Sequence, residues 1–461
     1  MHWRPMHVYL WIFLLSGPLF TRGVAAMTGS SMHVLPNRMR VIVTSRSHNK
    51  VLALNLFFNG GSGEDPEGKQ GLANLTQRLL IKGAAGKNAE QIAETIESVG
   101  GRIGVSTSED YCELFTVTTA DELDVALGLL ADVALHPTFP PAEIDRERQL
   151  VLSGIARRAD SQFAYTYAEF LRQMYGNHPY GHPPDGEELP VRSISRQDIL
   201  EYQAYRCQPE KLVLSVCGDV NADELVKKVQ GLFQQFPAVP SEPRFIVAHA
   251  LQPHFAKITL RKDCRQAFVI AGFPALPISD PAYPALRVAN AMLGEGMSAR
   301  LFRRLRDNQS LAYTVGSSVD ARKLGGHMAL WIGTNPVNAE TARLALLDEA
   351  QHLVADATED ELQRAKQYIT GKHLIARQSN HAKAHSAGVY EVLGMGYQFD
   401  DSFVGRIEAV TRPQAISALA NIIKVPVSVT LLPEGQEPIP PEQVLDLSGP
   451  QPTIHMPTET E

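Results

Sequence analysis

Several groups of residues in this 461-residue chain have types and spacing that chemistry could use. Asn74, Gln77 and Arg78 stand at i, i+3 and i+4 of GLANLTQRLLIKG, so on a helix their side chains share one face. A metal centre wants His or Glu there; two amides and a guanidinium do not supply it. His381 and His385, at i and i+4, would face a metal together, but no third ligand is evident and Lys383 lies between them. A solvated helix face accounts for them better. His178 and His182 are also four apart, in HPYGHPPDG, where proline and glycine deny helical geometry. The cysteines, Cys112, Cys207, Cys217 and Cys264, contain no C-x-x-C pair. Cys207 and Cys217 either bridge in an oxidising compartment or stay as buried thiols.

The elements that must position these residues come in two rounds. MRVIVTSRSHNKVLALNLFFNGGSGEDP alternates like two strands and ends in a Gly/Asp/Pro turn. Helices are expected from about Gly71 to Ile81 and from Asn88 to Val99, then a strand pair in GRIGVSTSEDYCELFTVTT. Asp121–Leu135 is amphipathic, with apolar residues at Leu123, Leu127, Leu130 and Val133 or Ala134. PPAEIDRERQLVLSGIARRADS opens with proline and early carboxylates, a helix N-terminus. Strand KLVLSVCGDV and a helix from about Ala222 to Phe233 close the round.

Residues 237–253 contain several prolines among polar residues and read as a linker. The second round runs through QAFVIAGFPAL, YPALRVANAMLG, YTVGSSVD, GHMALWIGT and two long helices. The last of these, TEDELQRAKQYITGKHLIARQS, repeats the acidic start and basic centre of the helix near residue 141, at an offset near 218. The expected fold class is therefore α+β, with two homologous domains in tandem, 27–236 and 254–461.

Bulk numbers exclude other classes. Charged residues are 20% and hydrophobic ones 44%, an ordinary globular balance, and the net charge is −7. With no basic run, the chain lacks the electrostatic footprint of a nucleic-acid binder. The first 26 residues carry Arg4, an apolar stretch from Val8 to Phe20 and the small residues Ala25 and Ala26. This pattern reads as a cleaved secretory signal, with retention as an anchor as the alternative. Export, most simply to a bacterial periplasm, is the expected destination.

GGSGEDPEGKQGLANLTQRLLIKG, HPYGHPPDG, LVLSVCGDV and LGEGMSARLFRRLRDNQSLAYTVGSS occur in an order that resembles the M16 peptidase family of insulinase and mitochondrial processing peptidase, above all its half-size bacterial members. The resemblance implies two LuxS/MPP-like α/β sandwich domains forming half a clamshell. In active members the stretch matching Asn74–Arg78 reads H-x-x-E-H, the inverted zinc motif. A third ligand, a Glu, stands seven residues after the position of Glu147. Carried over, the zinc positions here are Asn74, Arg78 and Gly154, and the general-base position is Gln77. All are lost, and a guanidinium about 4 Å from Zn²⁺ would cost about 8 kcal/mol at an effective dielectric near 20. Active relatives also use an Arg and a Tyr seven residues apart, and RDNQSLAY supplies Arg306 and Tyr313. A fixed cation and a phenol donor suit an oxyanion; the plain alternative is an Arg on a solvated helix and a Tyr packed at a strand start.

The resemblance thus implies a subunit without zinc or any other cofactor of its own. It would pair as a heterodimer with a zinc-bearing M16 subunit and act on unfolded peptides. A catalytically inert scaffold of the same fold is the rival expectation, and an independent metallopeptidase would need new ligands.

Overall fold

The computed structural model describes residues 29–234 and 254–438. The expected signal and linker fall outside these residues. The first half builds strands β1 (Ser30–Val34), β2 (Arg40–Ser45) and β3 (Val51–Asn59). A small hairpin of β4 (Gly83–Ala84) and β5 (Lys87–Asn88) follows, then β6 (Arg102–Thr107), β7 (Tyr111–Thr119) and β8 (Leu212–Gly218). The main sheet runs β1-β2-β8-β3-β7-β6, with only β2 and β8 parallel. Its helices are α1 (Leu72–Leu79), α2 (Ala89–Glu97), α3 (Leu123–Leu135), α4 (Pro141–Asp160), α5 (Gln162–Tyr175), α6 (Glu188–Ser193), α7 (Arg196–Arg206) and α8 (Ala222–Phe233).

The second half builds β9 (Ala256–Lys262), β10 (Ala267–Ala275), β11 (Thr314–Arg322), β12 (Gly325–Thr334) and β13 (Val427–Pro433), ordered β11-β12-β10-β13-β9. With them come α9 (Tyr283–Gly294), α10 (Ala339–Asp356), α11 (Glu359–Ala376), α12 (Asn380–Val392), α13 (Phe399–Glu408) and α14 (Arg412–Ile422). The α+β class and the repeat are both present. Helix α4 starts at 141 and α11 at 359, and α5 starts at 162 and α12 at 380, so each pair is 218 residues apart.

Each half lends one helix to the other. Helix α12 lies across β3 and β8 of the first sheet, while α5 lies across β10 and β13 of the second. This explains a departure from the sequence expectation. Strand β3 does not alternate: all residues from Leu52 to Phe58 are buried, because α12 covers the face that would otherwise meet water. Nor does β3 pair with β2, since β8 is inserted between them. The borrowed helix must come close. A Cβ on Gly388 of α12 would sit 2.0 Å from the Phe57 ring, so only glycine fits.

Candidate functional site

Helix α1 is fixed at its start by Asp65, whose buried carboxylate accepts the backbone N–H groups of Gly71 (2.7 Å) and Ala73 (2.8 Å). Gly71 takes φ of 102°, and a side chain there would collide with Val191. On the helix, Gln77 is wholly buried and its Nε2 donates to the backbone carbonyl of Glu113 on β7 at 2.6 Å. Gln77 is therefore tied to the sheet. Arg78 points the other way, to α4, where its Nε and Nη2 both reach Glu147 Oε2 at 2.8 and 2.6 Å. Lys82, one turn on, meets Glu147 Oε1 at 3.0 Å. The Glu147 side chain is only 2% exposed, so two cations neutralise a buried carboxylate. Gly154 lies two turns further along α4, and a Cβ there would meet nothing nearer than the Arg157 guanidinium at 3.9 Å. Asn74 is half-buried and has no hydrogen-bond partner among the described residues.

Arg306 and Tyr313 stand elsewhere. Residues Phe302–Asn308 wind as a π-helix, a rare form common at functional sites. Arg306, in its last turn, is exposed and stacks over the Phe302 ring at 4.6 Å. Ser310 follows with a positive φ of 51°. Tyr313 is 58% exposed, held at the entry of β11 by its backbone N–H, which donates to Gly333 at 2.9 Å. It is not packed at the strand start, as the plain alternative expected. Among the described residues, no hydrogen bond or ion pair joins Arg306 or Tyr313 to α1.

The histidine pairs resolve differently from each other. His178 Nδ1 accepts from the Tyr180 N–H, whereas His182 meets Glu187, whose carboxyl is held down to about 2 chiefly by that contact. They share no site. The solvated-face reading of His381 and His385 is overturned. Both sit on α12, which is borrowed by the first sheet, and they point at it. His385 Nδ1 lies 2.9 Å from Glu113 Oε1, and His381 Nδ1 lies 3.1 Å from Asn55 Nδ2. Asn55 also donates to Glu113 at 2.5 Å, and Ser106 donates to its other oxygen at 3.1 Å. Burial would raise the Glu113 carboxyl, but His385 and Asn55 together hold it below its ordinary value. Burial lowers His381. Glu113 went unnoticed in the sequence, although one carboxylate inside YCELFTVTT, an otherwise apolar and β-branched strand, was a signal. Lys82 was legible too, four residues after Arg78. All four cysteines are free thiols, so Cys207 and Cys217 are not bridged.

Fold and motifs place the chain among the tandem-domain peptidase-like proteins. The family description "Insulinase (Peptidase family M16)" matches residues 40–183, and "Peptidase M16 inactive domain" matches residues 193–369. The chain belongs to the M16 peptidase family. It is 25% identical over 380 residues to the uncharacterized zinc protease YmxG of Bacillus subtilis, covering 81% of this chain and 91% of that protein. It is 24% identical over 433 residues to the uncharacterized zinc protease Rv2782c of Mycobacterium tuberculosis, covering 92% and 98%. Among solved structures, a protease from Helicobacter pylori superposes with a TM-score of 0.82 at 21% identity, covering 88% of this chain and 99% of that one. A peptidase M16 inactive domain from Pseudomonas fluorescens gives 0.80 at 22%, covering 89% and 100%.

The relatives' names imply zinc, and the donor set at the matching positions does not fit it. Asn74 offers a neutral amide, Arg78 a cation already committed to Glu147, and Gly154 no side chain. Among the described residues, no three His, Cys, Asp or Glu side chains converge on a metal position, and no helix is long and apolar enough to cross a membrane.

Proposed function

We propose that this chain is the zinc-free subunit of an exported, heterodimeric M16-type peptidase. In this reading Arg306 and Tyr313 donate hydrogen bonds to the scissile carbonyl oxygen of an unfolded peptide as negative charge grows on it. The water-activating zinc belongs to the partner subunit. The reading is carried by one contrast. Arg78 and Lys82 close the Glu147 carboxylate within this chain's own α1–α4 pair, while Arg306 and Tyr313 are left exposed at a π-helix and a strand entry.

The test compares this chain alone, its half-size zinc-bearing relative alone, and the two mixed, on an unfolded peptide. Cleavage is expected only in the mixture. Tyr313→Phe should assemble normally yet lower kcat by about 10²–10³, the usual cost of one oxyanion donor. Metal-dependent cleavage by this chain alone, or full activity of Tyr313→Phe and Arg306→Ala in the mixture, would overturn it. Assembly without cleavage in any mixture would favour an inert scaffold.

A further inference from the structure

We propose that the cationic cluster on α1 and α4 is a binding site for a peptide carboxylate, a role distinct from the metal chemistry that this position serves in zinc-bearing relatives. The proposal rests on the preceding reading in one respect only, that the ligand is a peptide.

Glu147 carries one negative charge and receives both Arg78 and Lys82, so one positive charge is left over. Both cations are partly open to solvent, at 38% and 28% of their side chains, whereas the carboxylate they share is sealed at 2%. Arg78 spends Nε and Nη2 on Glu147, and Nη1 has no hydrogen-bond partner among the described residues. The guanidinium therefore keeps donors for a second carboxylate, for which its planar fork is suited.

The surroundings add room and further donors. Asn74 lies one turn before Arg78 on the same face of α1 with its amide unpartnered among the described residues. Two turns beyond Glu147 on α4, Gly154 leaves open space where a side chain would stand, and Arg157 reaches over that space. Arg157 has no ion pair among the described residues. The acidic groups of α4 are Glu147, already saturated, Glu143, one turn back, Asp145, paired with Arg148, and Asp160, three residues beyond Arg157. With Arg78 and Lys82, the four arginines of α4 (Arg146, Arg148, Arg157 and Arg158) make six cations against these four carboxylates and Asp185, so the balance stays positive by one charge. Two turns of helix span about 11 Å, the length of about three extended residues. A peptide end lying along α4 would bring its carboxylates past Arg157 and Arg78 in turn.

The proposal is tested with the purified full chain, without zinc or partner, by fluorescence anisotropy. The probes are a fluorescein-labelled peptide ending in Asp-Asp with a free C-terminus, its C-terminal amide, and the amide with Asn-Asn. The acidic peptide should bind more tightly than the Asn-Asn amide, and the middle probe separates terminal from side-chain carboxylate. Arg78→Gln and Arg157→Gln should each weaken the acidic peptide about 5- to 10-fold and leave the Asn-Asn amide unchanged. Arg78→Gln keeps Glu147 paired with Lys82; were it nevertheless to misfold by its Tm, exposed Arg157→Gln carries the test. Equal affinity for the acidic peptide and the Asn-Asn amide, no binding of any probe, or indifference to both substitutions overturns the site. The reading of Arg306 and Tyr313 is judged separately, by cleavage in the heterodimer, so either can fail alone.

Discussion

The two borrowed helices occupy equivalent places and are held by different physics. Helix α5 meets the second sheet through Phe170, Leu171 and Met174 against Phe268, Ile270, Val429 and Leu431. Helix α12 meets the first sheet through the small residues Ala384, Ala387 and Gly388, with Asn55, Glu113, His381 and His385 gathered in a polar network beside them. Even the close approaches are reversed. Over the first sheet the glycine is on the helix and the phenylalanine, Phe57, is on the strand; over the second, Gly272 is on the strand and Phe170 on the helix. One interface depends on apolar area and shape, the other on a buried carboxylate that must keep its partners.

The largest effect should come from emptying the apolar interface. Phe170 is wholly buried, so Phe170→Ala should cost about 3–5 kcal/mol through lost transfer energy and a cavity over Gly272. Denaturant unfolding measures this. A loss below 1 kcal/mol would mean that the helix is not held by packing at all.

Acid should loosen the apolar interface first. His327 on β12 is fully buried between the hydroxyls of Tyr167 (2.6 Å) and Tyr175 (2.9 Å), and burial lowers its pKa to about 4. The unfolded chain takes up this proton near 6.5, before the folded one does, so stability falls as pH drops from 6.5 towards 4. By pH 4.5 the loss from this group should be about 2–3 kcal/mol. Half-buried His381 adds a smaller loss of the same sign. Glu113 acts in the same direction in a lower window: its folded pKa is depressed, so its contribution is intact above the unfolded value near 4.3 and is lost as pH falls through the folded one. His327→Asn should flatten the stability slope between pH 7 and 4.5 whatever it does to stability at pH 7. An unchanged slope would remove His327 from the account.

Much of this was legible in the sequence, and the remainder was hidden for a definite reason. The helix Ala222–Phe233, the strand Leu212–Gly218 and the 218-residue repeat follow from local periodicity and capping, which neighbouring residues settle among themselves. Which sheet a helix covers is not local. Nothing within Asn380–Val392 says that its histidines will meet a glutamate more than 260 residues earlier, so a solvated face was the natural reading of His381 and His385. The pairing of Arg78 with Glu147 was hidden in the same way, although the loss of zinc-ligand chemistry at Asn74, Arg78 and Gly154 could be read from residue types alone.

A middling effect is expected at the centre of the polar interface. Glu113→Gln keeps the shape but removes the charge that faces His385, Asn55 and Ser106, and should cost about 1–3 kcal/mol at pH 7. A neutral result would show that the network tolerates an amide and that α12 is held chiefly by Phe57 and Gly388.

The smallest effect should come from the rim of the same interface. Arg40 on β2 meets Glu391 of α12 at 2.7 Å, with the two side chains 24% and 11% exposed. Water and salt screen such a pair, and exposed pairs contribute about 0.2–1 kcal/mol. Arg40→Met keeps the apolar stem and removes the charge, so it should lower stability by no more than about 1 kcal/mol, with a difference that shrinks in high salt. Glu391 is not stranded by the change, because its other oxygen still accepts the backbone N–H of Tyr397 at 3.2 Å. The ratio of this loss to that of Glu113→Gln locates the grip of α12. If Arg40→Met costs as much as Glu113→Gln and the cost is indifferent to salt, the interface is held at its rim, and the buried carboxylate is not what distinguishes it from the apolar one.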